Sequence, residues 1–413
     1  MAGQTPTLAL ESIAGPDAVL PPDQFPVDGL TPRAAVAPAS YEQVAEVMRY
    51  ADAEGLAVIP RGAGYLMHIG NVPARYDIAL ILSRLEGIVE YEPADMTVTC
   101  RAGTTVAALN RRLGESGQFV PFSAVPASGA ADPADPHTVA GLLAANESSL
   151  RLCHGSPRDF TIGMRVVTAE GKLTKAGGRV VKNVAGYDLC KLYIGSLGTL
   201  GVIVEATFKV APLPASERQL VASFGSASEA CTLAADLVRR GLALRSAEIT
   251  SVEPARFDLT LDIAGTVAAV ERSVREAREA SPSLEDASAD AVRPPPVSDV
   301  ALLCRASVLP THVPALIEAI QAIDGPHIHA LPTIGAVLAF WPDTGDPASV
   351  VERLRPLVSG LEGTLVIEAC PPELKSAIDV FGDTPPAFEL MRRLKRDLDQ
   401  MGILSPGRFL GRL

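Results

Sequence analysis

The sequence predicts an α+β protein of at least two domains. Three observations carry that prediction. The 413 residues exceed what one compact core of ordinary size holds, strand-like runs alternate with amphipathic helical stretches, and Pro212-Leu213-Pro214 interrupts the pattern midway. At 47% hydrophobic residues there is ample material for buried cores. Apolar runs such as residues 78–82 and 202–204 fall far short of the roughly 20 residues a membrane-spanning helix requires, so no direct membrane insertion is expected. Residues 1–20 contain Glu11 and Asp17 and lack a basic head before an apolar stretch, which predicts no secretory signal and a cytoplasmic location. A net charge of −12 argues against nonspecific binding to nucleic acid or anionic lipid, both of which demand a basic surface.

The elements follow in order. Residues 1–37 are proline-rich and weakly periodic, which predicts an extended arm against the first domain. Ser40 with Gln43 three residues on forms a capping-box pattern that opens a helix through about Ala53, ended by Gly55. A first domain over 38–214 begins there. It contains a strand at 56–60, a loop at 61–70, a strand at 78–82, and two short strands around Pro93-Ala94-Asp95, then a helix at 105–114. Residues 123–136 build no regular element but lead into 138–146, a run of small residues that permits close backbone approach. A hairpin turns at Glu170-Gly171, and the strand 202–210 closes the domain. From 215 to 385, strands and helices alternate on both sides of a proline-rich loop at 281–296, which suggests a ferredoxin-like sheet with helices on one face. A last segment, 386–413, contains a helix and a tail that return to the first domain.

Among the motifs, Pro60-Arg61-Gly62-Ala63-Gly64-Tyr65 carries two glycines that allow positive φ, so that backbone N–H groups can converge on a phosphate oxygen; a tight turn between strands would explain the same residues. It is not the dinucleotide fingerprint of doubly wound folds, because no third glycine follows and a strand dominates downstream. Gly195, Gly198 and Gly201 recur every third residue before a β-branched strand, where a flat ligand or close packing would each account for them. The six cysteines are scattered without a C-x-x-C pair, so they read as reduced, packed thiols, no metal centre is expected, and any further electron carrier lies on another chain. His327 and His329 lie two apart on a strand and share a face, without further ligands to complete a metal site. His68, His137 and His154 stand near the glycine loops.

Taken together, Ile59-Pro60-Arg61-Gly62-Ala63-Gly64, Asp95-Met96-Thr97-Val98-Thr99 with Gly103, Thr138-Val139-Ala140-Gly141 and the segment from Gly195 to Ile203 resemble the vanillyl-alcohol-oxidase (PCMH-type) FAD-binding fold. The run from Ala176-Gly177-Gly178 through Asn183-Val184-Ala185-Gly186-Tyr187-Asp188-Leu189 resembles the smaller FAD-binding subunit of bacterial glycolate oxidase. The resemblance covers residues 27–214, fades, and returns at Met401-Gly402-Ile403-Leu404-Ser405-Pro406-Gly407-Arg408-Phe409, where Ser405 replaces the family's usual asparagine. It implies a two-part PCMH-type FAD-binding domain followed by a ferredoxin-like α+β cap. Pro60, Arg61, Gly62, Ala63, Gly64 and Tyr65 would wrap the pyrophosphate. Thr138, Val139, Ala140, Gly141 and Ala144 would lie along the cofactor, and Gly201, Val202 and Ile203 would offer backbone contacts.

Tyr65 stands where covalently flavinylated members place a histidine, which implies noncovalent FAD. The paired-histidine motif of the catalytic 2-hydroxy-acid dehydrogenases is reduced here to His327-Ile328-His329-Ala330 and Gly335. Lys182, Tyr187 and His329 are candidates for positions near the flavin ring, and no catalytic base can be named. The implied function is the FAD-binding subunit of a glycolate oxidase-like complex that oxidises a 2-hydroxy acid to a 2-oxo acid or relays its electrons. A catalytic flavoprotein subunit and an iron–sulfur subunit would be its partners, and through them it would associate with a membrane. A stand-alone FAD-dependent dehydrogenase or oxidase, and a noncatalytic assembly subunit that has lost FAD, are the alternatives.

Overall fold

The computed structural model describes residues 6–121, 136–147, 151–178, 187–287, 300–323 and 325–413. The N-terminal layer contains α1 (Pro6–Ala14), β1 (Val19–Leu20), β2 (Ala34–Val36), α2 (Tyr41–Glu54), β3 (Val58–Arg61) and β4 (Ile78–Ile81). Its four strands lie in the order β1-β2-β4-β3, with β2 and β3 parallel to β4. The expected extended arm is replaced by a helix and a core strand. Leu10 of α1 is fully buried, and Ala34-Ala35-Val36, small and apolar, pairs between β1 and β4. Proline-rich flanks hide these short elements from any periodicity count. Half of the expected capping box forms at α2: Ser40 Oγ accepts from the Gln43 amide at 3.2 Å, while the Gln43 side chain accepts from the Ala39 amide instead of that of Ser40, and Gly55 ends the helix at φ 62°.

A second sheet follows, built from β5 (Ile88–Glu92), β6 (Thr97–Arg101), α3 (Val106–Gly114), β7 (Gln118–Phe119), α4 (Val139–Ala145), α5 (Arg151–His154), α6 (Pro157–Phe160), β8 (Thr161–Val167), β9 (Leu173–Gly177), α7 (Cys190–Tyr193), β10 (Val202–Lys209) and β11 (Ala211–Pro212). Five of these strands run β5-β6-β10-β8-β9, all antiparallel, while β7 and β11 pair separately. Val47 and Met48 of α2, Leu109 of α3 and Leu142 of α4 pack with Leu80 of β4 and Val204 of β10 in one core, which fuses the two sheets into a single body.

The remaining domain contains β12 (Ser216–Phe224), α8 (Ala227–Arg239), β13 (Leu244–Ser251), β14 (Phe257–Gly265), α9 (Val267–Ala280), β15 (Glu285–Asp286), β16 (Leu302–Ser307), α10 (Val313–Gln321), β17 (His327–Leu331), β18 (Ala336–Trp341), α11 (Pro347–Gly360) and β19 (Thr364–Ala369). The eight strands run β15-β12-β14-β13-β17-β18-β16-β19. Read from each outer edge, both halves have the ferredoxin-like order of fourth, first, third and second strand, and the halves join through β13 and β17. The expected ferredoxin-like sheet is therefore present twice. Leu237, Val270, Leu316 and Leu354 from the four helices pack on one face against Leu261, Ile249 and Ala330. The chain then passes through α12 (Pro372–Ala377) and α13 (Phe388–Leu398) and returns to β3, where Val58 donates to the Ile403 carbonyl at 2.8 Å and Ser405 N–H donates to the Val58 carbonyl at 2.9 Å.

Among the described residues no helix is long and apolar enough to cross a membrane.

Candidate functional site: the glycine-loop cavity

β3 delivers its last residues, Pro60 and Arg61, directly into the glycine loop. There a partly open cavity begins. Its walls come from four places: the loop from Pro60 to Met67, α4 with Thr138, Gly141 and Ala144, the segment holding Leu197, Gly198, Gly201 and Ile203, and Arg408 from the C-terminal tail.

The two loop glycines answer to different constraints. A Cβ on Gly62 would lie 1.9 Å from Thr138 Oγ1, so the loop touches the cap of α4 and no side chain fits between them. Gly64 has φ 95°, and a Cβ there would meet Arg61 Nη2 at 2.1 Å. Thr138 in turn caps α4 by accepting from the Gly141 amide. The far end of α4 holds the opposite wall, because Gly195 and Leu197 donate to the carbonyls of Leu143 and Ala144, each at 2.9 Å. Gly201 borders the cavity, but packing explains it independently: a Cβ would stand 2.5 Å from Val166.

Arg61 and Arg408 dominate the electrostatics. Arg408 is buried, donates through Nη2 to the carbonyls of Met67 and Ile69, and keeps a buried Nη1 with no protein partner. Arg61 has Phe25 5.1 Å from its guanidinium carbon and likewise keeps buried Nε and Nη1 atoms without partners. Burial, with a contribution from Arg61, pushes the Arg408 guanidinium below its ordinary range. Two guanidiniums with unspent N–H donors among the lining residues of one cavity form a site for a polyanion. The pyrophosphate of a dinucleotide such as FAD fits that donor set.

Behind the loop, Lys375 of α12 donates to Asp28 Oδ1 at 2.6 Å and to the His68 carbonyl at 2.7 Å. The His68 ring contacts the Tyr65 carbonyl through Nδ1 at 3.0 Å, and burial, reinforced by Lys375, lowers its pKa to about 4. An unfolded His68 takes up a proton near 6.5, whereas the folded one resists until about 4, so the unfolded state binds more protons between those values. Stability contributed by neutral His68 is complete above about 6.5 and is lost as pH falls toward 4, amounting to about 3 kcal/mol. His68→Gln should therefore flatten the fall in denaturation midpoint across that window; identical pH profiles for variant and parent would contradict this account.

Asn71 closes the loop. Its side chain donates to Asp379 Oδ1 and the Phe409 carbonyl, and accepts from the Val380 amide at 2.9 Å. The tail side is fixed by Lys395, whose ammonium donates to the carbonyls of Thr199 and Leu404 and to Asp399. Cap, tail and loop thus hold one another in place.

Of the sequence-predicted cofactor residues, Pro60, Arg61, Gly62, Ala63, Gly64, Tyr65, Thr138, Ala140, Gly141, Ala144, Gly201 and Ile203 line the cavity. Val139 and Val202 do not; both side chains are fully buried in the core. The candidates for the ring region are not brought together there. Lys182 lies outside the described residues. Tyr187 is 95% exposed, and His329 sits on the cap sheet with Nε2 2.8 Å from Glu248 Oε2; neither borders this cavity. Sequence reasoning missed Leu66, Met67, Leu197 and Arg408 as lining residues; His137, which the sequence placed near the glycine loops, lines the cavity and packs its ring 5.3 Å from Tyr65. Arg408 lies within the C-terminal run already singled out, but only the tail's return beneath the loop shows its purpose.

Residues 32–177 match the FAD binding domain family. The glycolate oxidase subunit GlcD of Bacillus subtilis (strain 168) is 30% identical over 210 residues, 50% of this chain and 43% of the relative. The glycolate oxidase subunit GlcE of Escherichia coli (strain K12) is 39% identical over 140 residues, 32% of this chain and 37% of the relative. The chain thus spans less than half the length of these curated relatives. A solved structure of p-cresol methylhydroxylase with substrate bound superposes with a TM-score of 0.72 at 15% identity, over 98% of this chain and 96% of that one, and shows the shared fold.

Proposed function

We propose that this chain, with its PCMH-type FAD-binding fold, is an FAD-binding oxidoreductase subunit serving the oxidation of a small 2-hydroxy acid within a glycolate oxidase-like complex. The observation that carries the reading is the pair Arg61 and Arg408, which both line the glycine-loop cavity and both keep buried guanidinium N–H groups without a protein partner. FAD, when bound, supplies the two-electron chemistry. Arg61 and Arg408 hold its pyrophosphate, and the glycine loop brings backbone N–H groups close because no side chain intervenes at Gly62 or Gly64. Ala140, Gly141 and Ala144 present a low wall along which the rest of the cofactor can lie. Tyr65, in place of histidine, leaves the attachment noncovalent.

Similarity to GlcD and GlcE, both named as subunits of glycolate oxidase, supports a multi-subunit setting; a catalytic flavoprotein and an iron–sulfur chain are the partners we propose. The purified protein should be yellow, show the two absorbance bands of oxidised flavin and release all of its FAD into the supernatant on acid precipitation. Colourless protein that fails to take up added FAD would overturn the reading, and flavin retained in the pellet would overturn noncovalent attachment.

A further inference from the structure

Residues 403–412 run between the glycine loop and the cap and bond to both. On the loop side, Val58 N–H donates to the Ile403 carbonyl, Ala74 N–H to the Pro406 carbonyl at 2.8 Å and Asn71 N–H to the Arg408 carbonyl at 2.9 Å. On the cap side, Gly411 N–H donates to Asp379 Oδ2 at 2.7 Å, the Arg412 guanidinium donates to the carbonyls of Ser376 and Ile378, and the Phe409 ring lies 5.3 Å from that of Phe381. Ile378, Val380 and Phe381 pack in the core of the cap. Asn71, fully buried, joins the two sides, since its one side chain bonds Asp379, the Val380 amide and the Phe409 carbonyl. We propose that residues 403–412 form a strap whose closure is linked to the anion it helps enclose: a filled site locks the strap and, through Asn71 and Asp379, the cap, whereas an empty site leaves both exchanging with an open form. The proposal rests on the FAD reading above for the identity of the anion.

Three features oppose closure over an empty site. Arg408 is buried with Arg61 and Lys375 as like-charged neighbours and the Asp28 carboxylate as counter-charge, so three cations stand against one anion. Arg408 Nη1 and Ser405 Oγ are buried without a protein partner, which leaves two desolvated polar atoms on the strap unsatisfied. Ser405 also holds φ 42°, in the left-handed region that a residue with a Cβ occupies at a cost. The pyrophosphate of FAD carries two negative charges, which match the surplus of three cations over one carboxylate, and its oxygens accept from the idle guanidinium donors.

Linkage then works in both directions. An anion that favours the closed strap is itself held more tightly by it, and the same coupling reaches the cap at Asp379 and Val380. The cap is therefore fixed in place over the cavity on the loaded chain, and the bonds of Asn71 carry that signal between two segments more than 300 positions apart in sequence.

Hydrogen–deuterium exchange on the full chain, with FAD, inorganic pyrophosphate and riboflavin as probes, tests this. FAD and pyrophosphate should each slow exchange at the amides of Ser405 and Arg408 in the strap and of Val380 in the cap by at least about tenfold, and riboflavin, which has no phosphate, should leave them unchanged. In the ligand-free chain Arg61→Met should slow exchange at Ser405 by at least about threefold, because it removes a like charge from beside Arg408; a substitution that only lost packing would speed it. Unchanged exchange in a chain that binds FAD overturns the proposal and leaves the FAD reading standing, whereas a chain that takes up neither FAD nor pyrophosphate overturns both. Equal protection by riboflavin, or exchange in ligand-free Arg61→Met as fast as in the parent or faster, overturns the proposal as well.

Discussion

Replacing Arg61 or Arg408 by methionine should weaken FAD binding by about 30- to 150-fold each, the equivalent of about 2–3 kcal/mol for a hydrogen bond to a charged group. The two substitutions should part company in the absence of FAD. Arg61 leaves its buried Nε and Nη1 unpartnered, so its removal costs the cofactor-free protein little. Arg408 also satisfies the carbonyls of Met67 and Ile69, and its loss should loosen the loop itself. Thermal denaturation with and without FAD separates these effects, since a ligand stabilises by its affinity and concentration alone. Equal FAD-induced stabilisation in parent and variants would show that the pyrophosphate sits elsewhere.

Gly62→Ala should lower both stability and FAD retention. The new Cβ would stand 1.9 Å from Thr138 Oγ1 and 2.9 Å from Thr138 Cβ. Relief requires Thr138 to turn away, which forfeits the cap on α4 at about 1 kcal/mol, or the loop to move outward at the further 1–3 kcal/mol typical of overpacking. Either path spoils the cavity wall. The expected result is a chain with a lowered denaturation midpoint and no retained FAD. Gly114→Ala, where a Cβ meets nothing within 4 Å, provides the control and should leave FAD content unchanged. Full FAD content in Gly62→Ala would contradict the contact described here.

Much of this site was legible in the sequence because local rules wrote it. Ser40 and Gln43 announced α2, Gly55 its end, and the glycines at 62 and 64 a loop that no bulky residue could form. The α+β class and the return of the tail followed from alternation and from the run around Ser405. What stayed hidden depended on contacts between distant residues. Arg408 meets Met67 across 341 positions, and Lys375 meets Asp28 across 347. No periodicity or spacing encodes such pairs. His329 illustrates the converse: its strand position was readable, but the Glu248 carboxylate that claims it comes from a strand 81 residues earlier. The duplicated ferredoxin-like order was hidden too, because the two halves share strand geometry without an obvious repeat in their residues.

The central claim is that the two guanidiniums and the glycine loop hold the pyrophosphate of FAD. The most direct measurement compares FAD with riboflavin, which carries the same ring and no phosphate, by fluorescence titration of the flavin-free chain. The account predicts one FAD bound per chain and riboflavin bound at least about 1,000-fold more weakly, as expected for the loss of two charge-assisted contacts and the backbone bonds of the loop. Equal affinity for the two flavins would contradict it.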